Sequence, residues 1–313
     1  MIVVTGATGN IGRTLVPLLA AAGEDVAAVS RGLRPAEPAG AEPAGAEPVG
    51  VESTGAEHAG ADEGVRRARA AGRVRHVQAD VGDATTLRPV LDGADALFVL
   101  LGGELNSHGE SPHALPAAAA DAGVKRIVLL SSQGSATRPD APSHARLRAF
   151  EAAVRAAGPD FTILRPGAFA SNAFAWTESV RTRRTVHAPF GDVALPVIDP
   201  ADIAEVAAAA LREGGHAGRT YELTGPAAIS PREQVAVLSA ALGEEVAFAE
   251  LTREEARARM THFMPEEVAD GTLDILGAPL PSEQRVSPDV RDVLGRPARP
   301  FAQWVARNLP AFR

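Results

Sequence analysis

A chain of 313 residues, 45% of them hydrophobic, has ample apolar surface for a core in one large or two small domains. Lys and Arg total 31 against 39 Asp and Glu, for a net charge of −8, and no basic run is interleaved with aromatics; this argues against a nucleic-acid surface and leaves small molecules as partners. Cysteine is absent, which excludes disulfides, thiolate catalysis and Cys-ligated zinc. No apolar run approaches the ~18 residues of a membrane span and the chain opens on a strand rather than a signal sequence, so a cytoplasmic protein without membrane contact is expected.

In chain order, the apolar run "MIVVTG" precedes a helical pattern over residues 10–22, with Pro17 inside it, followed by the strand pattern "DVAAVSR". A helix is expected around residues 65–71, then "VRHVQAD", "ALFVLL", a helix ending near Asp121, and "RIVLLSS". A helix over residues 144–157 and the run "DFTILRP" extend the series. Such repeated strand–helix winding predicts an α/β, doubly wound parallel sheet of the Rossmann type over residues 1–165. Beyond Pro166, "DPADIAEVAAAALRE" reads as a helix, "TYELTGP" as a short strand, and "SPREQVAVLSAALG" as a helix opened by Ser230 with Glu233 at capping-box spacing. Residues 166–313 are therefore expected to add to the sheet and form a smaller substrate lobe, with a cleft at the strand ends.

Between Arg34 and Arg66 the pattern dissolves into pentapeptides of the type "AEPAG". Seven acidic residues (Glu37, Glu42, Glu47, Glu52, Glu57, Asp62 and Glu63) and almost no large apolar side chain give this stretch too little surface to bury. Residues 36–63 are expected to be a disordered acidic insertion; an acidic flap over the nearby nucleotide site is the other reading.

Gly6, Gly9 and Gly12 form G-x-x-G-x-x-G between the first strand and helix. The first permits a tight turn, the second lets a phosphate approach the backbone and the third lets helix pack on strand, while the helix N-terminus offers amides to a pyrophosphate. The second strand ends in Ser30-Arg31, where an NAD site would carry an acidic residue for the ribose. A guanidinium there favours a 2′-phosphate, so NADPH is expected ahead of NADH, with Ser30 and Arg34 assisting. Asp80 and Val81, ending the third strand, are placed to touch the adenine edge.

These segments, with "AGVKRIVLLSS", "DFTILRPGAFASN", "PADIAEVAAAAL", "YELTGPAAIS" and "DVLGRPARPFAQWVARN", resemble the NmrA-like group of atypical short-chain dehydrogenases/reductases over nearly the whole chain outside the insertion. That resemblance implies NAD(P)H-dependent quinone reductases, isoflavone-type reductases, NADP-binding regulators without turnover, and reductases supporting oxygenation of aromatic polyketides in antibiotic biosynthesis. It implies that Gly6, Thr8, Gly9, Asn10, Ile11 and Gly12 form the pyrophosphate loop and that Arg31 serves the adenosine end. Leu100, Leu101, Gly102 and Ser131 would lie along the ribose and nicotinamide, with Pro166 and Phe169 beside the carboxamide. Ser132 matches the family's substrate-orienting serine.

The common Tyr-x-x-x-Lys dyad cannot exist here, because the chain has one tyrosine, Tyr221, and one lysine, Lys125, far apart. Ordinary alcohol/ketone interconversion is thereby disfavoured. Reduction of a quinone asks less of a general acid, since the product is a phenolate. Ser132, assisted by Gln133, is placed to bond the ring oxygen, or else it merely ends its strand; His144 is placed to relay a proton, or else it is a surface histidine at a helix start. His108 and His113 lie near the expected cleft, but none of the three histidines has ligand spacing, so no metal is expected, and no flavin. "GAFASNAFAW" brings Phe169, Asn172, Phe174 and Trp176 into the segment crossing to the lobe as substrate-side candidates: Phe169 and Trp176 are placed to line a flat aromatic pocket with Asn172 bonding a polar edge, or else Phe174 and Trp176 anchor the lobe. "HFMPEEV" either closes over the cleft or packs against a partner subunit. The expectation is an NADPH-dependent reductase of quinones or polycyclic aromatics, monomer or homodimer, with cofactor-free ring hydroxylation by dioxygen as an extension and a silent NADP(H) sensor as the rival.

Overall fold

The computed structural model describes residues 1–32, 72–101 and 109–313. Arg34, the acidic insertion, the helix expected at residues 65–71, Gly102 and His108 lie outside the described residues.

The first half winds as β1 (Ile2–Thr5), α1 (Gly12–Ala21), β2 (Val26–Ser30), β3 (Val74–Gln78), α2 (Ala84–Leu91), β4 (Ala96–Leu100), α3 (Ala114–Asp121) and β5 (Arg126–Leu130). After β5 come the short α4 (Gly134–Thr137), a 3₁₀ turn at Pro142–His144, α5 (Ala145–Ala156) and β6 (Asp160–Pro166). The second half contains a 3₁₀ segment at Ala170–Trp176, α6 (Thr177–Arg183), β7 (Thr185–Pro189), α7 (Pro200–Arg212), β8 (Arg219–Leu223), α8 (Pro231–Leu242) and β9 (Ala247–Leu251). It closes with α9 (Arg253–Met260), α10 (Glu266–Gly277), α11 (Pro281–Gln284), α12 (Asp289–Leu294) and α13 (Phe301–Asn308).

Seven strands form one parallel sheet in the order β3-β2-β1-β4-β5-β6-β8. Its central strands are apolar on both faces because helices cover both. Val4, Phe98, Val128 and Leu164 join Leu15 and Leu19 of α1 and Ile203 and Ala207 of α7 in one core. Their strand neighbours Val3, Leu97, Ile127 and Ile163 join Leu87, Leu115, Phe150 and Val154 of α2, α3 and α5 on the other side. The period-2 alternation of strand side chains divides the two cores.

The strand order reverses between β1 and β4, and here Thr5 is buried between them. Its hydroxyl donates to the Phe98 carbonyl at 3.0 Å and accepts from the Leu100 amide at 2.9 Å. A side chain thus replaces direct pairing beyond Val4, holding the strands apart where open α/β sheets bind ligands.

The second half adds β8 and α7 to the main sheet and builds a third core from Val186, Val235, Phe301, Trp304 and Phe312. The expected capping box is formed: Glu233 N donates to Ser230 Oγ at 3.3 Å and Ser230 N donates to Glu233 Oε2 at 2.8 Å. A parallel pair, β7 with β9, was not legible from local patterning, since β7 and β9 are far apart in sequence. No helix among the described residues is long and apolar enough to cross a membrane.

Candidate active site

A cavity of about 1420 Å³ runs from the carboxyl ends of β1 and β2 to the lobe. Gly6, with φ of +65°, turns the chain out of β1, and the Gly9 amide donates back to its carbonyl at 2.9 Å. A Cβ on Gly12 would lie 2.3 Å from the Gly6 carbonyl oxygen and 2.5 Å from Ala7 Cα, so α1 approaches the loop as closely as a glycine allows. No acidic residue and no side-chain cap occupies the start of α1, leaving its positive end to an anion. Thr8, Asn10 and Ile11 line the cavity with Gly6 and Gly9, while Gly12 serves the packing beneath. These features fit the diphosphate of a dinucleotide.

At the adenosine end, Ser30, Arg31, Asp80 and Val81 all line the cavity. The Ser30 hydroxyl donates to the Gly32 carbonyl at 2.5 Å, and the Arg31 carbonyl accepts from Gln78 at 3.0 Å. Arg31 is exposed, and among the described residues no carboxylate pairs with its guanidinium. Asp80 accepts from the Gly82 amide at 2.9 Å. Leu100, Leu101, Pro166 and Phe169 continue the wall toward the sheet centre. Asn10 reaches across it, donating from Nδ2 to Ser171 Oγ at 2.6 Å and joining the phosphate loop to the segment that crosses into the lobe.

Ser131 lines the cavity, but its hydroxyl is turned into a buried cluster. It donates to Glu151 Oε1 at 2.7 Å, and Arg165 donates to the same carboxylate at 2.9 and 2.5 Å. Burial alone would raise the Glu151 pKa, yet the bonds from Arg165 and Ser131 hold it below its ordinary value. The proton of this hydroxyl is therefore committed, and toward a ribose it can act only as an acceptor. Gln133 is likewise committed, its Nε2 donating to the Ser282 carbonyl at 3.2 Å, so it braces the cavity wall.

Ser132 and His144 meet. Ser132 Oγ lies 3.4 Å from His144 Nε2 and accepts from the Gly134 amide at 3.2 Å. His144 Nδ1 lies 3.0 Å from Ser143 Oγ. A Cβ on Gly134 would come within 2.3 Å of Nε2, so this glycine makes room for the ring. Burial, followed by the charge of Arg148, lowers the His144 pKa and favours neutral imidazole. With hydrogen on Nε2, the ring and the Gly134 amide both donate to Ser132 Oγ, and the serine's own proton is left to point at a ligand. Ser143 and Gly134 were missed by sequence reasoning, because their roles depend on how the turn at Pro142–His144 folds onto α4.

Asn172 and Trp176 line the cavity, but Phe174 does not. Its ring sits 4.9 Å from Trp304 and 6.2 Å from Phe312, centre to centre, and anchors the lobe. His113 is also corrected, being exposed at the start of α3 and absent from the cavity wall. The far wall comes from β7, α9 and α10 and includes Phe263, Met264 and Val268 of the expected closing segment. Phe190, also missed, lines it with a left-handed φ of +56°, a conformation a bulky residue rarely adopts, and a Cβ on Gly277 would strike its ring at 2.6 Å.

Tyr221 and Lys125 are elsewhere. The tyrosine hydroxyl lies 2.8 Å from His216 Nδ1. Lys125, beside the amino end of β5, pairs with Asp95 at 2.9 Å; the Asp95 carboxyl is held down to about 2 by the N-terminal ammonium and Lys125.

The NmrA-like family model matches residues 1–273. A (4-alkanoyl-5-oxo-2,5-dihydrofuran-3-yl)methyl phosphate reductase of Streptomyces griseus is 36% identical over 315 aligned positions, covering 100% of this chain and 99% of that protein. An NAD(P)H azoreductase of Xenophilus azovorans is 33% identical over 316 positions, with 100% and 99% coverage. The fold is shared with an NADPH-dependent quinone oxidoreductase of Escherichia coli solved with NADPH, at TM-score 0.73 and 24% identity, covering 99% of this chain and 100% of that one. By the extent of the family match and by these full-length relatives, the chain belongs to the NmrA-like family.

Proposed function

We propose that this NAD(P)H-dependent oxidoreductase prefers NADPH and reduces quinones or related polycyclic aromatics. The observation that carries the reading is the Ser132 hydroxyl, held by the Gly134 amide and backed by neutral His144, in a cavity that also presents Phe169 and Trp176. The glycine loop and the start of α1 would hold the diphosphate, and Arg31 the 2′-phosphate. Bound NADPH supplies a hydride to the acceptor. Ser132 bonds the acceptor oxygen and gives it a proton; His144 replaces that proton through Nε2 and recovers one at Nδ1 through Ser143. Phe169 and Trp176 offer flat surfaces to a ring and exclude water. No tyrosine acid is needed, because charge on a quinone oxygen is delocalised.

The Streptomyces griseus relative favours a second reading, reduction of an unsaturated lactone, whose enolate oxygen would use the same Ser132 donor.

The test is anaerobic turnover of a panel of naphthoquinones and anthraquinones with NADPH and NADH, for wild type and Arg31→Ala. The expected outcome is hydroquinone formation with a primary isotope effect from deuterated NADPH. Arg31→Ala should weaken NADPH binding by about 1.5–3 kcal/mol and NADH binding far less. Equal wild-type affinities for the two cofactors would remove the Arg31 assignment. No turnover of any quinone, alongside reduction of an unsaturated lactone, would replace the quinone reading by the second one. Readmitting oxygen and looking for a hydroxylated ring tests the oxygenation extension.

A further inference from the structure

We propose that Arg259 forms an oxyanion-binding subsite at the substrate end of the cavity, so that the natural acceptor carries a phosphate or other oxyanion group remote from its reducible centre. The inference rests on the reduction proposed above and adds the charge of the substrate. The far wall of the cavity is largely apolar, with Phe190, Leu195, Met260, Phe263, Met264 and Ile275 facing it. Beyond His187 in the chain, two charged side chains interrupt that wall among the described residues, Glu283 and Arg259.

Glu283 is already neutralised. It is buried, and Arg138 donates to its two oxygens at 2.8 and 2.9 Å. Arg259 is exposed, and among the described residues no carboxylate pairs with it. Carboxylates are not scarce nearby. On the same helix, Arg253 donates to Asp274 at 2.6 Å, and Arg257 donates to Asp270 at 2.7 Å and to Glu266 at 2.9 Å. Three of the four acidic side chains of α10, all but Glu267, are thus taken by the other arginines of α9, and among the described residues the arginine in the cavity wall is left with no carboxylate on its guanidinium, on a chain whose net charge is −8.

A guanidinium that no carboxylate holds, beside apolar walls, attracts an anion more strongly than one in open solvent, because the walls confine the field. Its planar fork matches a phosphate or carboxylate through two parallel bonds. The wall around it suits an apolar body. An elongated acceptor with a reducible ring near Ser132 and an oxyanion at Arg259 satisfies both ends of the cavity.

The test uses a matched set of methylnaphthoquinones bearing a short alkyl chain that ends in hydroxyl, carboxylate, phosphate or trimethylammonium, so that the reacting ring is constant. In wild type, kcat/KM for the phosphate form should exceed that for the hydroxyl form by roughly tenfold, the lower end for a charge-assisted contact that is part exposed. Arg259→Gln should bring that ratio close to one, and Arg259→Glu should shift preference to the trimethylammonium form. The carboxylate and phosphate arms distinguish a general oxyanion site from one fitted to phosphate. Binding of the corresponding hydroquinones, followed by quenching of tryptophan fluorescence through Trp176, should show the same order without turnover. A wild-type ratio near one in both assays, or an equal loss for all four ligands in Arg259→Gln, would overturn the subsite. If no quinone in the set is turned over, the quinone reading fails while the fluorescence order still decides the role of Arg259.

Discussion

Ser132 is the residue on which the chemistry turns, and its surroundings predict how it fails. Ser132→Ala removes the donor to the acceptor oxygen while leaving the cavity shape nearly intact. The chemical step should slow by about 10²-fold with cofactor affinity unchanged, as for loss of one oxyanion donor. His144 acts through the serine and has a pH signature. Its pKa lies below the ordinary 6.5, so the neutral ring persists through neutral pH, and the rate should rise on the acid side as the ring takes a second proton and becomes the stronger acid behind Ser132. His144→Gln should flatten that acid limb, whereas Tyr221→Phe, which alters a bond to His216 outside the cavity, should leave the profile as it is. Rate profiles from about pH 5 to 8 measure both. An acid limb retained in His144→Gln would show that another group sets it.

At the scale of elements, the meeting of β1 and α1 is the least forgiving. A methyl at Gly12 would have to displace the Gly6 carbonyl and the Ala7 backbone, neither of which is a flexible side-chain end. Gly12→Ala should therefore destabilise the fold by about 1–3 kcal/mol through overpacking and loosen the phosphate loop, so that NADPH affinity falls as well. Gly214→Ala is the control, since nothing lies within 4 Å of its added carbon, and its melting temperature should stay near wild type. Similar losses in both variants would mean that the close approach at Gly12 is not what constrains this site. The glycine spacing was legible in the sequence because strand, loop and helix are contiguous, and the parallel sheet was legible because each buried strand reads as an apolar run. The β7 and β9 pair was not, because its partners are joined only by the folded lobe. In the candidate site, Ser132 and His144 could be singled out from the end of one strand and the start of the next long helix, but not their contact. At Phe174 the sequence left cavity wall and lobe anchor both open, since composition does not say which face of a 3₁₀ segment meets the cavity, and the structure takes the anchor. Arg259 had no local signal at all; what distinguishes it is which of its neighbours are already paired.

Across the described molecule, carboxylates tie separate parts together through arginine, Glu151, Glu283 and Glu205 among them. Glu151 accepts from Arg165 beneath the sheet, Glu283 from Arg138 between α4 and α11, and Glu205 from Arg296 and Arg299, which fasten the segment before α13 to α7. In all three, burial would raise the pKa, and the guanidinium bonds outweigh it and lower the value. A folded-state carboxylate pKa below the unfolded one stabilises the fold above the ordinary value near 4.5, and that contribution is lost as pH falls through the folded value. His144 adds an earlier loss. Its folded pKa is also lowered, so the unfolded chain takes up the proton first, and stability declines as pH drops below 6.5 toward the folded value. Acid should consequently act on stability in two stages, the first as His144 takes a proton and the second as the carboxylates do. Glu205→Gln separates the carboxylate contribution. Asp202 continues to hold Arg296 and Arg299 in that variant, and Glu205 is partly exposed, so the loss at neutral pH should be modest, about 1 kcal/mol. Urea unfolding at about pH 7, 5 and 3.5 should show the gap between variant and wild type narrowing toward the lowest pH, because the wild type loses there what the variant has already given up. A gap that stays constant across the three would mean that Glu205 is no longer linked to protons in the folded state, and would leave Glu151 and Glu283 to account for the acid transition.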